Sequence, residues 1–287
     1  MPNKPSRDRT RSTSVALWAE GRVPETLPEA VHSSALIEAN RNRALFRLNT
    51  VGRFLVEPGQ QTVVERAAGA TDQDLECFLR GPVAALRLCL AGHFGLRGAA
   101  VEIGGSALVV CGIATGASTL AAALAAEGHP VLADGVVCID GNPPTVVLVP
   151  EARPPRLTLW PDVVEAFRLD PSDGEIVRPS LPSRAFGLGP PPPSRPVPLG
   201  ALVSLGVADS RDAAFTPERL SGFAAVATLL KAFWHPHLTE DLGMAKQQFQ
   251  WAATIAGRTP TVLLPPGRDD IRASCRLLVK AALEVMG

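Results

Sequence analysis

The chain of 287 residues is 46% hydrophobic and 20% charged, proportions that suit a globular protein with a sizeable core. Lysine plus arginine and aspartate plus glutamate each number 28, and this balance argues against nucleic acid or an acidic lipid surface as a partner. The five cysteines are odd in number, widely spaced and without a C-x-x-C pair. They therefore indicate neither a zinc site nor a disulfide framework, and we expect reduced thiols in the cytoplasm.

The first part of the chain predicts a tail followed by a β-rich unit. Basic and small polar residues cluster in residues 1–13, where we expect a disordered tail, and this stretch lacks the apolar core of a secretory signal. Residues 42–66 contain β-rich runs separated by the turn sequences NTVG and EPGQ, a pattern typical of an antiparallel meander.

A helical segment follows. Residues 72–94 place apolar side chains at helical spacing, with Asp72 or Asp74 as a candidate cap near the start. The Gly81–Pro82 pair predicts that the segment breaks into two helices, because proline removes a backbone donor and disfavours helical geometry in the residue before it.

The centre of the chain has the order strand, strand, loop, helix, strand. No residue between Glu102 and Glu127 is charged, and an apolar stretch of this length can resemble a membrane span. It contains four glycines and several hydroxyl side chains, so a buried strand, a glycine turn and a buried helix explain it better. We therefore expect no membrane span.

The last part predicts alternating elements around a proline-rich stretch. The expected elements are a strand and then a helix opened by Pro161 within 157–168, a long surface loop over 171–198, helices over 217–256, a strand at TVLLP and a closing helix over 269–286. A proline-rich ligand for a partner domain is the alternative for the loop.

The sequence CGIATGAST, at 111–119, stands where a phosphate-binding loop belongs, between an apolar strand and an alanine-rich helix. Such a loop has the pattern G-x-x-x-x-G-K-[ST] and points backbone N–H groups at phosphates from a helix N-terminus. Here the first glycine position holds Cys111 and the lysine position holds Ala117. The candidate nucleotide-binding residues are Gly112, Thr115, Gly116, Ala117, Ser118 and Thr119, with Ser118 also a candidate Mg²⁺ ligand.

The run from LRGAAVEIGGSALVVCG through GHPVLADGVVCID resembles the HPr serine kinase family, and especially its short members, which include kinases of lasso-type precursor peptides. The resemblance spans roughly residues 40–285 and is specific over 80–165. It implies an α/β fold of the phosphoenolpyruvate carboxykinase-like P-loop class, with a mixed sheet, flanking helices and an N-terminal β-rich segment. It also implies ATP, Mg²⁺ and phosphorylation of a serine on a peptide or protein. We accordingly divide the chain into the tail, an N-terminal unit over 14–90 and a kinase-like core over 91–287, the last two forming one compact unit.

The departures from the family pattern fall on the chemistry. Arg97 replaces the histidine of the family's LHASAV strand, and Ala117 replaces the P-loop lysine. Of the family's two consecutive aspartates, Asp134 keeps the first, which acts as base near the acceptor hydroxyl, while Gly135 replaces the second, which helps to hold Mg²⁺. Arg97 is a candidate phosphate contact, since a guanidinium binds phosphate through two hydrogen bonds.

Two functional hypotheses follow. In the first, the chain is a degenerate kinase relative that binds a peptide or protein, with ATP and Mg²⁺ binding weakened or lost. In the second, it still transfers phosphate with a remodelled pocket. An unrelated α/β protein with a chance glycine turn is a third alternative. Elsewhere, His235 and His237 are a candidate metal pair, although the proline between them favours a helix-ending turn.

Overall fold

A computed structural model describes residues 17–112, 116–140, 143–147, 149, 154–206, 217–264 and 271–286. They form a mixed α/β structure in which helices flank several sheets. Among these residues, no helix combines the length and the apolar character needed to cross a bilayer.

The N-terminal sheet contains the predicted meander. Its described strands lie in the order β1-β6-β5-β4-β3-β2, with β1 parallel to β6 and the other neighbours antiparallel. One face packs on the helices that follow it, around Phe46, Phe54 and Leu75. The strands are β1 (Trp18–Glu20), β2 (His32–Ser33), β3 (Ile37–Ala39), β4 (Ala44–Leu48), β5 (Gly52–Val56) and β6 (Thr62–Arg66).

The helical segment breaks at Gly81, as its sequence predicts. Helix α1 (Asp72–Phe78) and helix α2 (Ala84–Leu90) are joined by a π-helical turn, Leu79–Val83, in which Gly81 departs from helical dihedral angles. Of the two candidate aspartates, Asp74 takes part in the cap, but neither is the N-cap residue. Thr71 is the N-cap, and its side chain accepts from the N–H of Asp74 while the Asp74 carboxylate accepts from the N–H of Thr71. The threonine hydroxyl and the aspartate carboxylate each accept one backbone N–H group, so the pair satisfies two backbone donors.

The central sheet carries the strand-loop-helix segment. Its order in the described chain is β10-β9-β7-β8-β14-β16-β15, and β10 also pairs with β14, so the sheet curls back on itself. Strands β8, β14 and β16 are parallel, and the other pairs are antiparallel. The strands are β7 (Gly95–Ile103), β8 (Ser106–Cys111), β9 (Val131–Asp140), β10 (Thr145–Val147), β14 (Val197–Leu205), β15 (Glu218–Leu220) and β16 (Thr261–Leu264).

Helices cover both faces of this sheet. On one face an apolar cluster joins it to the helices that follow β8, β11 and β16; on the other, a second cluster joins it to the helices after β15. The helices are α3 (Ala117–Ala126), α4 (Pro161–Ala166), α5 (Gly222–Ala232), α6 (Pro236–Asp241), α7 (Ala245–Ala256) and α8 (Ile271–Met286).

The proline-rich stretch is not wholly a loop, and that prediction was wrong for its first half. β13 (Arg184–Phe186) pairs with β11 (Leu157–Leu159) on one side and with β12 (Glu175–Ile176) on the other, in a three-stranded sheet of order β11-β13-β12. These strands are two or three residues long and contain charged residues, so they lack the alternating apolar pattern that marks a strand. Leu157, Leu159 and Phe186 anchor the small sheet to the core.

Gly98 in β7 provides a test of this packing. A Cβ atom there would lie 2.0 Å from the carbonyl oxygen of Val110 in the neighbouring strand β8, a distance that neither backbone can relieve without moving. We expect Gly98→Ala to lower the free energy of unfolding by about 2–4 kcal/mol in urea denaturation. Gly187→Ala, where a Cβ would meet no atom within 4 Å, is the control and should change it by less than about 0.5 kcal/mol. Equal effects of the two substitutions would contradict the strand pairing.

Candidate functional site

A cavity of about 1000 Å³ lies where the start of α3, β9, β7, α1 and the small sheet meet. Every candidate residue that the structure describes lines it: Arg97, Gly112, Gly116, Ala117, Ser118, Thr119 and Asp134. Thr115, the remaining candidate, lies outside the described residues. Residues that are far apart in sequence therefore converge on one site.

Asp134 occupies the centre of this arrangement. The hydroxyl of Ser118, in the first turn of α3, donates to its Oδ1 at 2.7 Å, and the backbone N–H of Thr158 in β11 donates to its Oδ2 at 2.8 Å. Both carboxylate oxygens thus have a partner, one from the helix and one from the small sheet. Sequence analysis missed Thr158, because a backbone donor leaves no signal in residue type.

The pKa of the Asp134 carboxyl group is raised to about 6. Burial is the main cause, since it disfavours the charged form, and the hydrogen bonds from Thr158 and Ser118 oppose it only in part. In the described residues no arginine or lysine pairs with this carboxylate. The group therefore titrates near neutral pH, where a carboxyl group can act as a general base.

The N-terminus of α3 faces the cavity without the usual lysine. Gly116 is the N-cap residue, with a φ of 84°, a left-handed conformation that favours glycine. Among the described residues no side chain caps this helix end, and Ala117 follows it as a small, buried residue. The backbone donors of a phosphate-binding helix start are thus present, whereas the cation that accompanies them is missing.

Arg97 is fixed beside the cavity by Trp234. Its guanidinium carbon lies 4.5 Å from the centre of the Trp234 ring, and its Nη2 donates to the Trp234 carbonyl oxygen at 2.8 Å. Burial lowers the pKa of Arg97, and its Nε is buried without a partner in the described structure. Arg97 is therefore a stacked, half-buried cation that lines the site. Trp234 is a site residue that the sequence did not indicate.

Gly135 supplies no carboxylate and holds a special backbone conformation. Its φ is 83°, so side chains are strained there, and its carbonyl oxygen accepts from the indole Nε1 of Trp234 at 2.8 Å. Together with Arg97, this bond ties Trp234 to two strands of the central sheet.

A half-buried ion pair joins the two walls of the cavity. Arg178, which follows β12, donates from Nε to Oδ1 of Asp74 in α1 at 2.9 Å, and its guanidinium also lies over the Phe78 ring. The pKa of Asp74 is lowered, first by the backbone N–H of Thr71 and further by Arg178. The small sheet is thereby fixed to the N-terminal unit.

The predicted histidine pair is not a metal site. His235 is mostly buried, its Nε2 lies 3.1 Å from the carbonyl oxygen of Pro82, and burial lowers its pKa to about 4. His237 is exposed, and Asp241 contacts His32 instead. Across the described parts of the chain, no three histidine, cysteine or acidic side chains are grouped to hold a metal ion.

Comparison with known proteins gives a distant structural likeness. No protein-family model matches the chain, and neither does any curated protein. Among solved structures, the chain is similar to the HPr(Ser) kinase/phosphatase from Coxiella burnetii, with 16% sequence identity and a TM-score of 0.34 over 66% of this chain and 91% of that chain. At this TM-score the likeness carries no argument, and the function is argued from the site.

Asp134 should make stability depend on pH. Its pKa is higher in the folded chain than the usual 3.8, so the folded state binds more protons between about pH 4 and 6, and the free energy of unfolding falls as the pH rises through that range. Asp134→Asn removes this fall. We expect the stability of the variant relative to the wild type to increase by about 1–3 kcal/mol between pH 4 and 8, measured by urea denaturation. The exposed Asp173→Asn is the control, and an unchanged difference for Asp134→Asn would contradict a raised pKa.

Proposed function

We propose that this chain is a catalytically degenerate, HPr-kinase-like protein with the phosphoenolpyruvate carboxykinase-like P-loop fold. In this proposal it binds a peptide or protein as a regulatory partner in the cytoplasm, within a peptide-modification or biosynthesis pathway. The observation that carries the proposal is the paired Ser118 and Asp134 beneath a helix start that has Ala117 in place of a lysine.

The missing charges support loss of ordinary phosphoryl transfer. Such catalysis depends on positioning and on charge that neutralises the transferred phosphate and its metal ion. Ala117 provides no cation, and Gly135 provides no second carboxylate next to Asp134. Arg97 does not replace the lysine directly, because its guanidinium is already stacked on Trp234 and bonded to the Trp234 carbonyl.

The residues at the helix start would fit a phosphate group but not a well-held Mg²⁺ ion. Backbone N–H groups at the beginning of α3 would contact the phosphate, and ATP would supply a transferable phosphoryl group when bound. Asp134 and Ser118 are oxygen ligands of the type that Mg²⁺ prefers, but Mg²⁺ sites usually also need further oxygens from carboxylate, water or phosphate. ATP and Mg²⁺ binding is accordingly weakened or lost in this proposal.

The wild-type chain should bind ATP without dependence on Mg²⁺, or not at all. Ala117→Lys should raise the affinity for ATP about tenfold, because a charged hydrogen bond contributes about 1.5 kcal/mol. The matched control is Ala126→Lys, the same change at the exposed opposite end of α3, which should have no effect. Isothermal titration calorimetry with and without Mg²⁺ measures the ATP affinity of the wild type and of the two variants. Clear Mg²⁺-dependent binding by the wild type would overturn the degenerate assignment.

A second candidate function is an active ATP-dependent serine kinase of a precursor peptide or protein, with a remodelled phosphate site. The observation that favours it is the Asp134 carboxyl group, whose pKa of about 6 suits a general base at neutral pH.

In that case incubation with ATP, Mg²⁺ and a peptide encoded next to its gene should add a phosphate-sized mass. Asp134→Asn should slow the transfer by about 10²–10⁴-fold, and the wild-type rate should rise with pH around an apparent pKa of about 6. Mass spectrometry measures the gain, and Asp173→Asn serves as the control. Transfer that continues unchanged in Asp134→Asn would exclude Asp134 as the base.

A further inference from the structure

The outer part of the cavity is a cleft with a sheet face on one side and α1 on the other. Thr158, Ala185 and Glu175 are paired across the three strands of the small sheet and lie on one face, and all three line the cavity. The opposite wall contains residues of α1 and of the turn after it, among them Glu76 and Arg80.

The cavity extends around the edge of this sheet. Successive residues of a strand point to opposite faces, yet Glu175, Ile176 and Val177 all line the cavity. β12 is the last strand in the described sheet, so the backbone of this edge is the part that another extended chain could pair with.

Large apolar side chains are exposed along the cleft. Trp160 is 53% exposed, Ile176 50% and Leu181 37%, and all three line the cavity. Their concentration at one opening indicates a binding surface, because isolated exposed apolar residues are ordinary whereas clusters of them mark contact sites.

The charges at the cleft entrance favour a basic partner. The carboxylates of Glu76 and Glu175 pair with Arg80 and Arg156, and in each pair the carboxylate is the more exposed member. Each carboxylate therefore reaches further into solvent than the arginine that pairs with it, and it keeps lone pairs for a second donor. The charge that the entrance presents to a ligand is therefore negative.

We propose that the cleft binds an extended peptide segment that carries apolar and basic side chains and pairs with the edge of β12. This inference rests on the proposed function and specifies the partner of the same site. The apolar side chains contact Trp160 and Ile176, the basic ones contact Glu175 and Glu76, and backbone pairing provides affinity that does not depend on sequence. Arg178, bonded to Asp74, holds the end of β12 in place.

The probe is a blocked peptide that alternates lysine with valine, titrated calorimetrically without ATP or Mg²⁺. We expect it to bind, and we expect the matched peptide that alternates glutamate with valine to bind at least tenfold more weakly. A lysine–valine peptide with N-methyl groups on alternate residues should also bind at least tenfold more weakly, because it cannot donate backbone hydrogen bonds along one edge. Equal binding of the acidic peptide would overturn the charge argument, and equal binding of the methylated peptide would overturn strand pairing.

Variants locate the binding. Trp160→Ala should lower the affinity for the lysine–valine peptide about tenfold, and Trp160→Phe should retain most of that affinity. Phe223→Ala, which removes an aromatic side chain that is 76% exposed elsewhere, should leave it unchanged. Glu175→Gln should lower the affinity for the same peptide several-fold, and Glu240→Gln should leave this affinity unchanged. Thermal melting confirms that each variant is folded. Equal effects of Trp160→Ala and Phe223→Ala would place the binding elsewhere.

Two other outcomes would also overturn this inference. Dimerisation that Trp160→Ala abolishes and the basic peptide does not compete with would assign the cleft to a second copy of the chain. If the folded wild type binds none of the peptides, the proposal that this cleft binds a peptide is excluded. Neither outcome changes the result expected for ATP and Mg²⁺, which is measured without peptide, so the two proposals fail separately.

Discussion

The hydrogen bonds of one carboxylate hold the site together. Asp134 projects from β9 and accepts from Ser118 at the start of α3 and from the backbone of Thr158 in β11. An ionised carboxylate inside a protein is costly unless its oxygens are bonded, so the three elements are stabilised in this arrangement by the same group. The helix start that faces the cavity and the small sheet that forms its wall are therefore both fixed by Asp134. The loss of either donor would remove one of the hydrogen bonds that offset the cost of placing this carboxylate inside the protein.

Burial explains the raised pKa of the Asp134 carboxyl group. In the family that the sequence resembles, a lysine and a second carboxylate accompany this aspartate, and they imply a bound metal ion. Here Ala117 and Gly135 stand at those positions, and Arg97 is held against Trp234. The carboxylate is thus desolvated without a nearby partner of opposite charge, which raises its pKa. The same burial that isolates this carboxyl group from solvent also makes it titrate near neutral pH.

The sequence predicts the parts of the site that depend on local pattern. The strand, glycine turn and helix around Ser118 follow from an apolar run and a helical period, and the break at Gly81 follows from glycine and proline chemistry. The convergence of Arg97 with Trp234 depends on a pairing across 137 positions in the chain, for which neither residue carries a local signal. Strand β11 of the small sheet was predicted, but β12 and β13 were missed because they are too short and too polar to show alternation. The same polarity lets one face of the small sheet form the wall of a cavity.

The walls of the cleft come from two parts of the chain, and one of them is the N-terminal unit. Residues of α1 form one side of the cleft, and Arg178 on the other side bonds to Asp74, which also completes the cap of α1 through Thr71. The cleft consequently depends on the docking of the N-terminal unit against the small sheet. A ligand that spans both walls binds only the docked arrangement and stabilises it by mass action. The binding of the peptide that we propose for this cleft therefore depends on the packing of these two parts of the chain, and it does not require phosphate transfer.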